Sequence, residues 1–160
     1  MDIEYNGQLI KVEKCVLRKM YENRQKEEGQ NETGGMIIGY RLKSNNALVI
    51  NDITLPTKND SQSTFNFIRS EDHNVVLEEK WKESQMTIMY MGEWHTHLTQ
   101  NPNYSITDIL SWKKLMKRAI TETDILLFFI IGSEKYKIWV GDRRNKRIQM
   151  IYEGGWSIDE

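Results

Sequence analysis

The sequence predicts one α+β (α/β-like) domain over residues 1–160, with a mixed β-sheet flanked by about three helices. Its length of 160 residues is near that of a typical single domain, and its apolar fraction of 39% is enough for one core. Three segments carry apolar residues at helical spacing. The segments between them are short, apolar or alternating, and end in polar turns, which is typical of strands.

The first part of the chain predicts two strand pairs with a helix between them. Residues 3–10 read as a strand or hairpin that turns at an Asn-Gly pair. Apolar residues at helical spacing indicate a helix over about 12–27, for which Gly29 is a suitable end. Residues 36–40 form a compact apolar strand, and 47–55 are predicted to return beside it.

The middle of the chain is more polar. Residues 56–64 read as a surface loop, and the alternation of Phe65 and Phe67 around a polar residue predicts a short strand. A helix is expected to begin near residues 70–72. His73, near its start, is expected to be a surface or capping residue, and Trp81 is expected to join the core.

The last part of the chain predicts the centre of the sheet. Residues 86–97 read as a strand with Tyr90 and Trp94 on one face and the two histidines, His95 and His97, on the other. The helix over 105–119 has one apolar stripe. The run 125–131 is wholly apolar and predicts a central strand, and two further strands follow at 136–140 and 147–152.

Composition excludes several classes of protein. The net charge of −1 gives no reason to expect nucleic acid or an anionic membrane surface as a partner. No apolar run approaches the roughly 20 residues that span a bilayer, and the first residues do not read as a signal peptide. Cys15, the single cysteine, rules out a disulfide framework and a thiolate metal site, and is expected in the core. We therefore expect a cytoplasmic protein without membrane contact.

Two histidines one residue apart are the first sign of chemistry. His95 and His97 share a strand face, so their imidazoles can converge on one ion. Asp108 lies on the otherwise apolar stripe of the following helix, where an inward carboxylate needs a partner. Ser105, three residues earlier, is placed to cap that helix. Three protein ligands of these types predict a catalytic zinc site.

Hydrolysis at such a site also needs a carboxylate that takes and returns a proton. Glu93 lies on the same strand face as His95, and local geometry slightly favours it. Glu32 is distant in sequence, at the polar entrance to an apolar strand and beside two glycines that allow close backbone approach. The spacing of residues leaves both candidates open.

The combined pattern resembles the JAMM motif of the JAB/MPN metalloproteases. It consists of Glu32 ahead of an apolar strand, then His95 and His97, seven residues, Ser105, two residues, and Asp108. The resemblance extends over nearly the whole chain and implies a cytidine deaminase-like fold. It implies one catalytic Zn²⁺ held by the two histidines and the aspartate, with Glu32 as general acid and base. Ser105 would stabilise the oxyanion, and Glu93 would support the site from behind the ligands.

Within that family the sequence is similar to a bacterial branch that includes the JAB-domain deconjugases of type II CBASS anti-phage operons. The resemblance implies an isopeptidase that cleaves after the C-terminus of a ubiquitin-like modifier, or of a CD-NTase joined to a target. Its partners would be that tail, its conjugate, and ubiquitin-activating and ubiquitin-conjugating-like proteins of the same operon. Leu98 stands where the family usually has proline, so the resemblance does not define the shape of the loop from Leu98 to Ser105, whereas the expected ligand set is unaffected.

The family also clamps its substrate tail as an added strand, and Phe65 and Phe67 are the candidates for that clamp. Two other functions remain open. One is a processing peptidase for a ubiquitin-like or sulfur-carrier precursor. The other is a non-catalytic MPN interaction module, against which the presence of all five signature residues argues.

Overall fold

A computed structural model describes residues 1–157 and contains ten strands and three helices over that range. In chain order these are β1 (Asp2–Tyr5), β2 (Gln8–Val12), α1 (Lys14–Glu22), β3 (Gly34–Arg41), β4 (Leu48–Ile53), β5 (Ser61–Ser63), β6 (Asn66–Ile68), α2 (Asp72–Glu83), β7 (Met89–Thr96), α3 (Ile106–Arg118), β8 (Ile125–Ile131), β9 (Lys135–Asp142) and β10 (Arg147–Gly155). No helix within the described range is long and apolar enough to cross a bilayer.

Eight of the strands form one mixed sheet in the order β1-β2-β4-β3-β7-β8-β9-β10. The pairs β2–β4 and β7–β8 are parallel, and the other neighbours are antiparallel. The strands β5 and β6 form a separate two-stranded hairpin between β4 and α2. The predicted fold class, a mixed sheet flanked by three helices, is confirmed.

The sheet is buried on both faces. Alternate residues of β8 point to opposite sides: Leu127 and Phe129 pack on the side of α1, and Leu126 and Phe128 pack on the side of α3. Every residue of β8 is buried, as expected for a strand covered on both faces. The prediction of a central apolar strand over 125–131 is therefore confirmed, with the same bounds.

The start of α3 also follows the prediction. Ser105 is the N-cap, and its hydroxyl accepts a hydrogen bond from the backbone N–H of Asp108. The Asp108 carboxylate in turn accepts the N–H of Ser105, which completes a capping box. Trp112 and Leu115 pack inward, as the predicted stripe requires.

The prediction for α1 was too long. The helix ends at Glu22, five residues before the predicted end, so Gly29 is not its stop. The chain instead turns inward, because Gln25 is buried and its amide donates a hydrogen bond to the Gln30 carbonyl. Residues 23–33 form a loop that returns the chain to the sheet at β3.

The predicted face pattern of the histidine strand was wrong in its first half. Met91 is an extra residue between the pairs Ile38–Tyr90 and Ile37–Gly92, which makes a β-bulge. The bulge reverses the alternation, so Tyr90 packs on the α3 side and Trp94 on the α1 side. After the bulge the alternation resumes, so Glu93 and His95 share one face of β7 and Trp94 lies on the other.

Three single-residue expectations also differ from the structure. His73 is fully buried, because its ring bonds to the Thr54 hydroxyl and to the Asp60 carboxylate at the base of the hairpin. Cys15 is exposed on the outer side of α1, and Trp81 is 41% exposed at the edge of α2. Neither of the last two is a core residue.

Candidate metal centre

The candidate site lies where the end of β7 meets the beginning of α3. His95 pairs with Gly34 of β3 on one side and with Ile130 of β8 on the other, so β7 is fixed by two neighbours. His97 directly follows the strand, and its backbone N–H donates to the Ile131 carbonyl. Asp108 enters from α3, where the capping box fixes its first-turn position.

The three predicted ligands converge. His95 Nε2 lies 3.0 Å from His97 Nε2 and 3.1 Å from Asp108 Oδ1. His97 Nε2 lies 3.4 Å from Asp108 Oδ2. A tetrahedral ion with bonds of 2.0–2.1 Å separates its donors by about 3.3 Å, so these distances fit Zn²⁺. These three residues are the cluster of potential metal ligands found within the described chain.

Glu32 comes to the same place from the loop before β3. Its Oε1 lies 3.8 Å from His97 Nε2, and only 6% of the residue is exposed. The carboxylate therefore borders the cluster without being part of the closest donor set. The structure brings together the distant acid and the three predicted ligands.

The loop that carries Glu32 is attached to the residue between the two histidines. The Thr33 N–H donates to the Thr96 hydroxyl over 3.0 Å, and the Thr96 N–H donates to the Thr33 carbonyl over 2.9 Å. The Thr96 hydroxyl then donates to the buried amide oxygen of Gln25. Thr96 lies between His95 and His97, so these hydrogen bonds couple the position of Glu32 to that of the two histidines.

Two glycines make this close approach possible. A Cβ on Gly34 would collide with the Trp94 carbonyl and would lie 2.8 Å from ring carbons of Phe67. A Cβ on Gly35 would collide with the carbonyl of Thr54. Gly34 therefore lets β3 lie against β7 beneath Phe67, and Gly35 lets it lie against Thr54, two and three residues after Glu32.

Burial and neighbouring charges shift the pKa values of three residues in the site. Burial tends to raise the pKa of Asp108, but hydrogen bonds from His95 and His97 outweigh it and hold that pKa well below its usual range. Burial tends to lower the pKa of His97, but the hydrogen bond and charge of Asp108 raise it overall. Burial raises the pKa of Glu32 to about 7, against the opposing charge of His97. A carboxyl with a pKa near neutrality is suited to exchanging protons.

Ser105 is exposed at the edge of this cluster. Its oxygen accepts the Asp108 N–H at 3.1 Å, which leaves its own hydroxyl proton available to a further acceptor. The structure thus gives Ser105 a capping role, and the role in oxyanion stabilisation stays a prediction.

Glu93 is directed to partners that the sequence did not predict. Its Oε1 accepts hydrogen bonds from Tyr90 Oη at 2.7 Å and from Arg69 Nε at 2.8 Å. The contact with Tyr90, three residues earlier on the same strand, exists because the bulge places both on one face. Arg69 follows β6, and no sequence pattern links it to Glu93.

The predicted clamp residues differ from each other. Phe67 is half-buried, with its ring over Gly34 and edge-on to His73. Phe65 is 86% exposed at the turn of the β5–β6 hairpin, and Ile68 is 59% exposed on β6. Within residues 1–157, the small sheet consists of β5 and β6 alone, and the Ser63 carbonyl of β5 accepts the Glu32 N–H, so the outer edge of β6 is the one without a neighbouring strand.

Comparison with known proteins gives one family. Residues 13–147 match a family described as prokaryotic homologs of the JAB domain. Three curated relatives are each called a CD-NTase/cGAS isopeptidase. The protein from Escherichia coli (strain TW11681) is 28% identical over 149 residues, 92% of this chain and 90% of its own. The protein from Pseudomonas aeruginosa (strain BWHPSA011 / Pa011) is 32% identical over 111 residues, 69% of each chain.

The relative from Vibrio cholerae is 29% identical over 137 residues, 85% of this chain and 83% of its own. Among solved structures, the solution structure of protein DSY2949 from Desulfitobacterium hafniense has a TM-score of 0.61 and 17% sequence identity, with 88% of each chain covered, and supports the fold. The family match spans most of the chain and includes every residue of the cluster described above. The chain is therefore a member of the prokaryotic JAB-domain family, of the bacterial type to which the CD-NTase/cGAS isopeptidases belong.

Proposed function

We propose that this chain is a zinc-dependent isopeptidase of the JAMM type that removes a CD-NTase from its conjugates in the cytoplasm, as part of a CBASS defence system. The observation that carries the proposal is the convergence of His95, His97 and Asp108 beside the buried carboxylate of Glu32. The names of the three curated relatives support the choice of reaction and substrate. We further propose that residues 1–160 act as one domain.

Zinc suits this donor set better than other common ions. Two imidazoles and one carboxylate are typical of catalytic zinc sites, whereas Mg²⁺ and Ca²⁺ prefer oxygen ligands alone. When bound, Zn²⁺ would supply Lewis-acid activation of a water and of the scissile carbonyl. The residues that would hold it are His95, His97 and Asp108.

Glu32 supplies the proton transfers in this proposal. Its carboxylate, buried beside His97, can accept a proton from the attacking water and later return it to the leaving amine. The attachment of its loop to Thr96 keeps the carboxylate beside the ligands. The Ser105 hydroxyl has a proton to donate to the developing oxyanion, and one such donor is typically worth roughly 3 to 4 kcal/mol.

The substrate tail is proposed to lie extended along the β5–β6 hairpin. Within the described residues the outer edge of β6 has no neighbouring strand, and the hairpin exposes Phe65 and Ile68 while Phe67 anchors it over Gly34. An extended C-terminal tail would gain main-chain hydrogen bonds by adding to that edge. Partners are then the tail of a CD-NTase or ubiquitin-like modifier, its conjugate, and the operon proteins that form the conjugate.

The test uses a CD-NTase joined to a second protein through an isopeptide bond. We expect Glu32→Gln to lower the rate of cleavage at least about 10²- to 10⁴-fold, the usual contribution of general acid–base catalysis, while bound zinc is retained. Glu93→Gln, on the strand that carries His95, is the comparison variant for the alternative acid. Cleavage by Glu32→Gln at the wild-type rate would contradict the assignment of Glu32.

A second substrate separates isopeptidase from processing peptidase. The same CD-NTase tail fused head-to-tail to the second protein offers a linear peptide bond instead of an isopeptide bond. We expect the isopeptide-linked conjugate to be cleaved with the higher kcat/KM. Preference for the linear fusion would favour a processing role, and failure to cleave either would contradict the proposed function.

A further inference from the structure

Three polar side chains form a cluster on the α3 side of the sheet, close to the candidate metal centre. Glu93 on β7 accepts hydrogen bonds from Arg69 Nε at 2.8 Å and from Tyr90 Oη at 2.7 Å. The side chains of Glu93 and Arg69 are only 13% and 24% exposed, and Tyr90 is 6% exposed. Neither Arg69 nor Tyr90 belongs to the signature of the site.

This degree of burial makes the pair costly to break. A charged group removed from water needs a charged or hydrogen-bonding partner, and loss of one partner leaves the other charge uncompensated. The pair is also well formed, since both contacts to Glu93 are short and charge-assisted. Arg69 and Glu93 therefore hold their two segments of chain together.

Those segments are the β5–β6 hairpin and β7, the strand that carries His95. Arg69 directly follows β6, whereas Glu93 lies two residues before His95 on β7. The other end of the hairpin is anchored elsewhere: Asp60, the residue before β5, accepts the Ser70 N–H and bonds to His73 of α2. Asp60 ties the hairpin to α2, and Arg69 ties it to the strand that carries the ligands.

The hairpin in turn contacts the segment that carries Glu32. The Glu32 N–H donates to the Ser63 carbonyl of β5 over 2.8 Å, and the Phe67 ring of β6 covers Gly34. A displacement of the hairpin from β7 would therefore weaken one hydrogen bond to Glu32. It would also move the unpaired edge that is proposed to receive the substrate tail.

We propose that Glu93 and Arg69 are positioning residues that fix the β5–β6 hairpin against β7, so that the substrate tail is aligned with the metal centre. The inference rests on the proposed function for its substrate, and it assigns Glu93 to the hairpin rather than to support of the zinc ligands. Tyr90 assists by donating a second hydrogen bond to the same Glu93 oxygen.

The structure predicts which kinetic constant changes most. Glu32 keeps its attachment through Thr33 and Thr96 when the hairpin is released, because those hydrogen bonds do not involve the hairpin. The other attachments of the hairpin named above, through Asp60 and Ser63, reach α2 and the Glu32 segment and not β7. Loss of the pair should therefore raise KM for an extended tail about tenfold, with a smaller fall in kcat, and leave zinc affinity unchanged.

The direct test is amide hydrogen exchange on the zinc-loaded protein. In Arg69→Met and in Glu93→Gln, we expect the amides of Glu32 and of residues 61–68 to exchange about tenfold or more faster than in the wild type. The amides of β8 should be unchanged. The double variant Arg69→Met/Glu93→Gln removes both charges, so it avoids an unpaired buried charge and should keep the fold while its hairpin still exchanges fast.

Lys135→Met is the matched control, because it breaks an ion pair with Glu153 on the distant strands β9 and β10. It should alter neither hairpin exchange nor KM. Wild-type hairpin exchange in the double variant would overturn the inference, as would a tenfold loss of zinc affinity in Glu93→Gln with the hairpin unaffected. A wild-type protein that cleaves no conjugate would refute the proposed function, whereas the exchange measurement would still decide whether the pair holds the hairpin.

Discussion

At the scale of single residues, Glu32 shows how the environment of a side chain prepares it for chemistry. The sequence offers two acids near the histidines, and local strand phase favours Glu93. The structure gives Glu93 two hydrogen-bonding partners, whereas the Glu32 carboxylate lies 3.8 Å from His97 Nε2, beyond hydrogen-bonding distance. Glu32, which is buried and lacks the two short hydrogen bonds that Glu93 accepts, is therefore the better candidate for proton transfer.

The burial of Glu32 has a consequence for stability in the metal-free protein. Its pKa is about 7 in the folded state against an ordinary value of 4.5, so the folded state binds a proton that the unfolded state has released between those pH values. The stabilisation from this proton is present below about pH 4.5 and is lost as the pH rises through 7. Its full size is about 3 kcal/mol.

The side chain introduced by Glu32→Gln cannot ionise, so the pH dependence of the unfolding free energy should differ between this variant and the wild type. We expect the metal-free variant and wild type to have similar unfolding free energies near pH 4. At pH 8 the variant should be more stable by up to about 3 kcal/mol. Urea unfolding at a series of pH values measures this, and two parallel pH profiles would show that Glu32 is not desolvated as described.

At the scale of elements, the bulge in β7 determines which residues of that strand face α3 and which face α1. Gly92 adopts a φ of +142°, and a Cβ there would collide with the Leu127 carbonyl of β8. The bulge places Glu93 and Tyr90 on one face, and both histidines follow in the same register. A glycine at this position is therefore required by conformation and by contact together.

Gly92→Ala should consequently destabilise the fold by about 3 kcal/mol or more, because strain and a backbone collision combine. Gly29→Ala is the matched control: Gly29 also has a positive φ, of +84°, but nothing lies within 4 Å of its added Cβ. It should cost only about 1 kcal/mol. Thermal unfolding of the two variants provides the comparison, and equal losses would contradict the role given to the β7–β8 contact.

The same elements explain what the sequence could and could not predict. The wholly apolar run of β8 and the Ser105–Asp108 cap of α3 are local signals, so their bounds and orientation were predicted well. The β7 bulge depends on pairing with β3, so simple alternation assigned Tyr90 and Trp94 to the same face incorrectly. The early end of α1 depends on Gln25, whose partners lie in the loop and on Thr96.

At the scale of the whole molecule, the site is assembled from three segments: the Glu32 loop, which is far from the others in sequence, and the consecutive elements β7 and α3. Their convergence depends on the strand order, which sets β3 and β8 on either side of β7. Spacing alone predicted the histidines and the aspartate as ligands, and the family resemblance was needed to choose Glu32. The attachment of the hairpin to β7 through Arg69 had no signal in the sequence, because it arises only once the sheet is formed.

The proposed hydrolysis depends on the binding of one metal ion by His95, His97 and Asp108. The most direct measurement is the zinc content of three purified proteins after dialysis against a weak chelator: wild type, Asp108→Asn and Glu32→Gln. We predict about one Zn²⁺ per chain in the wild type and in Glu32→Gln, and almost none in Asp108→Asn. Equal zinc in wild type and Asp108→Asn, or none in the wild type, would contradict the metal centre described here.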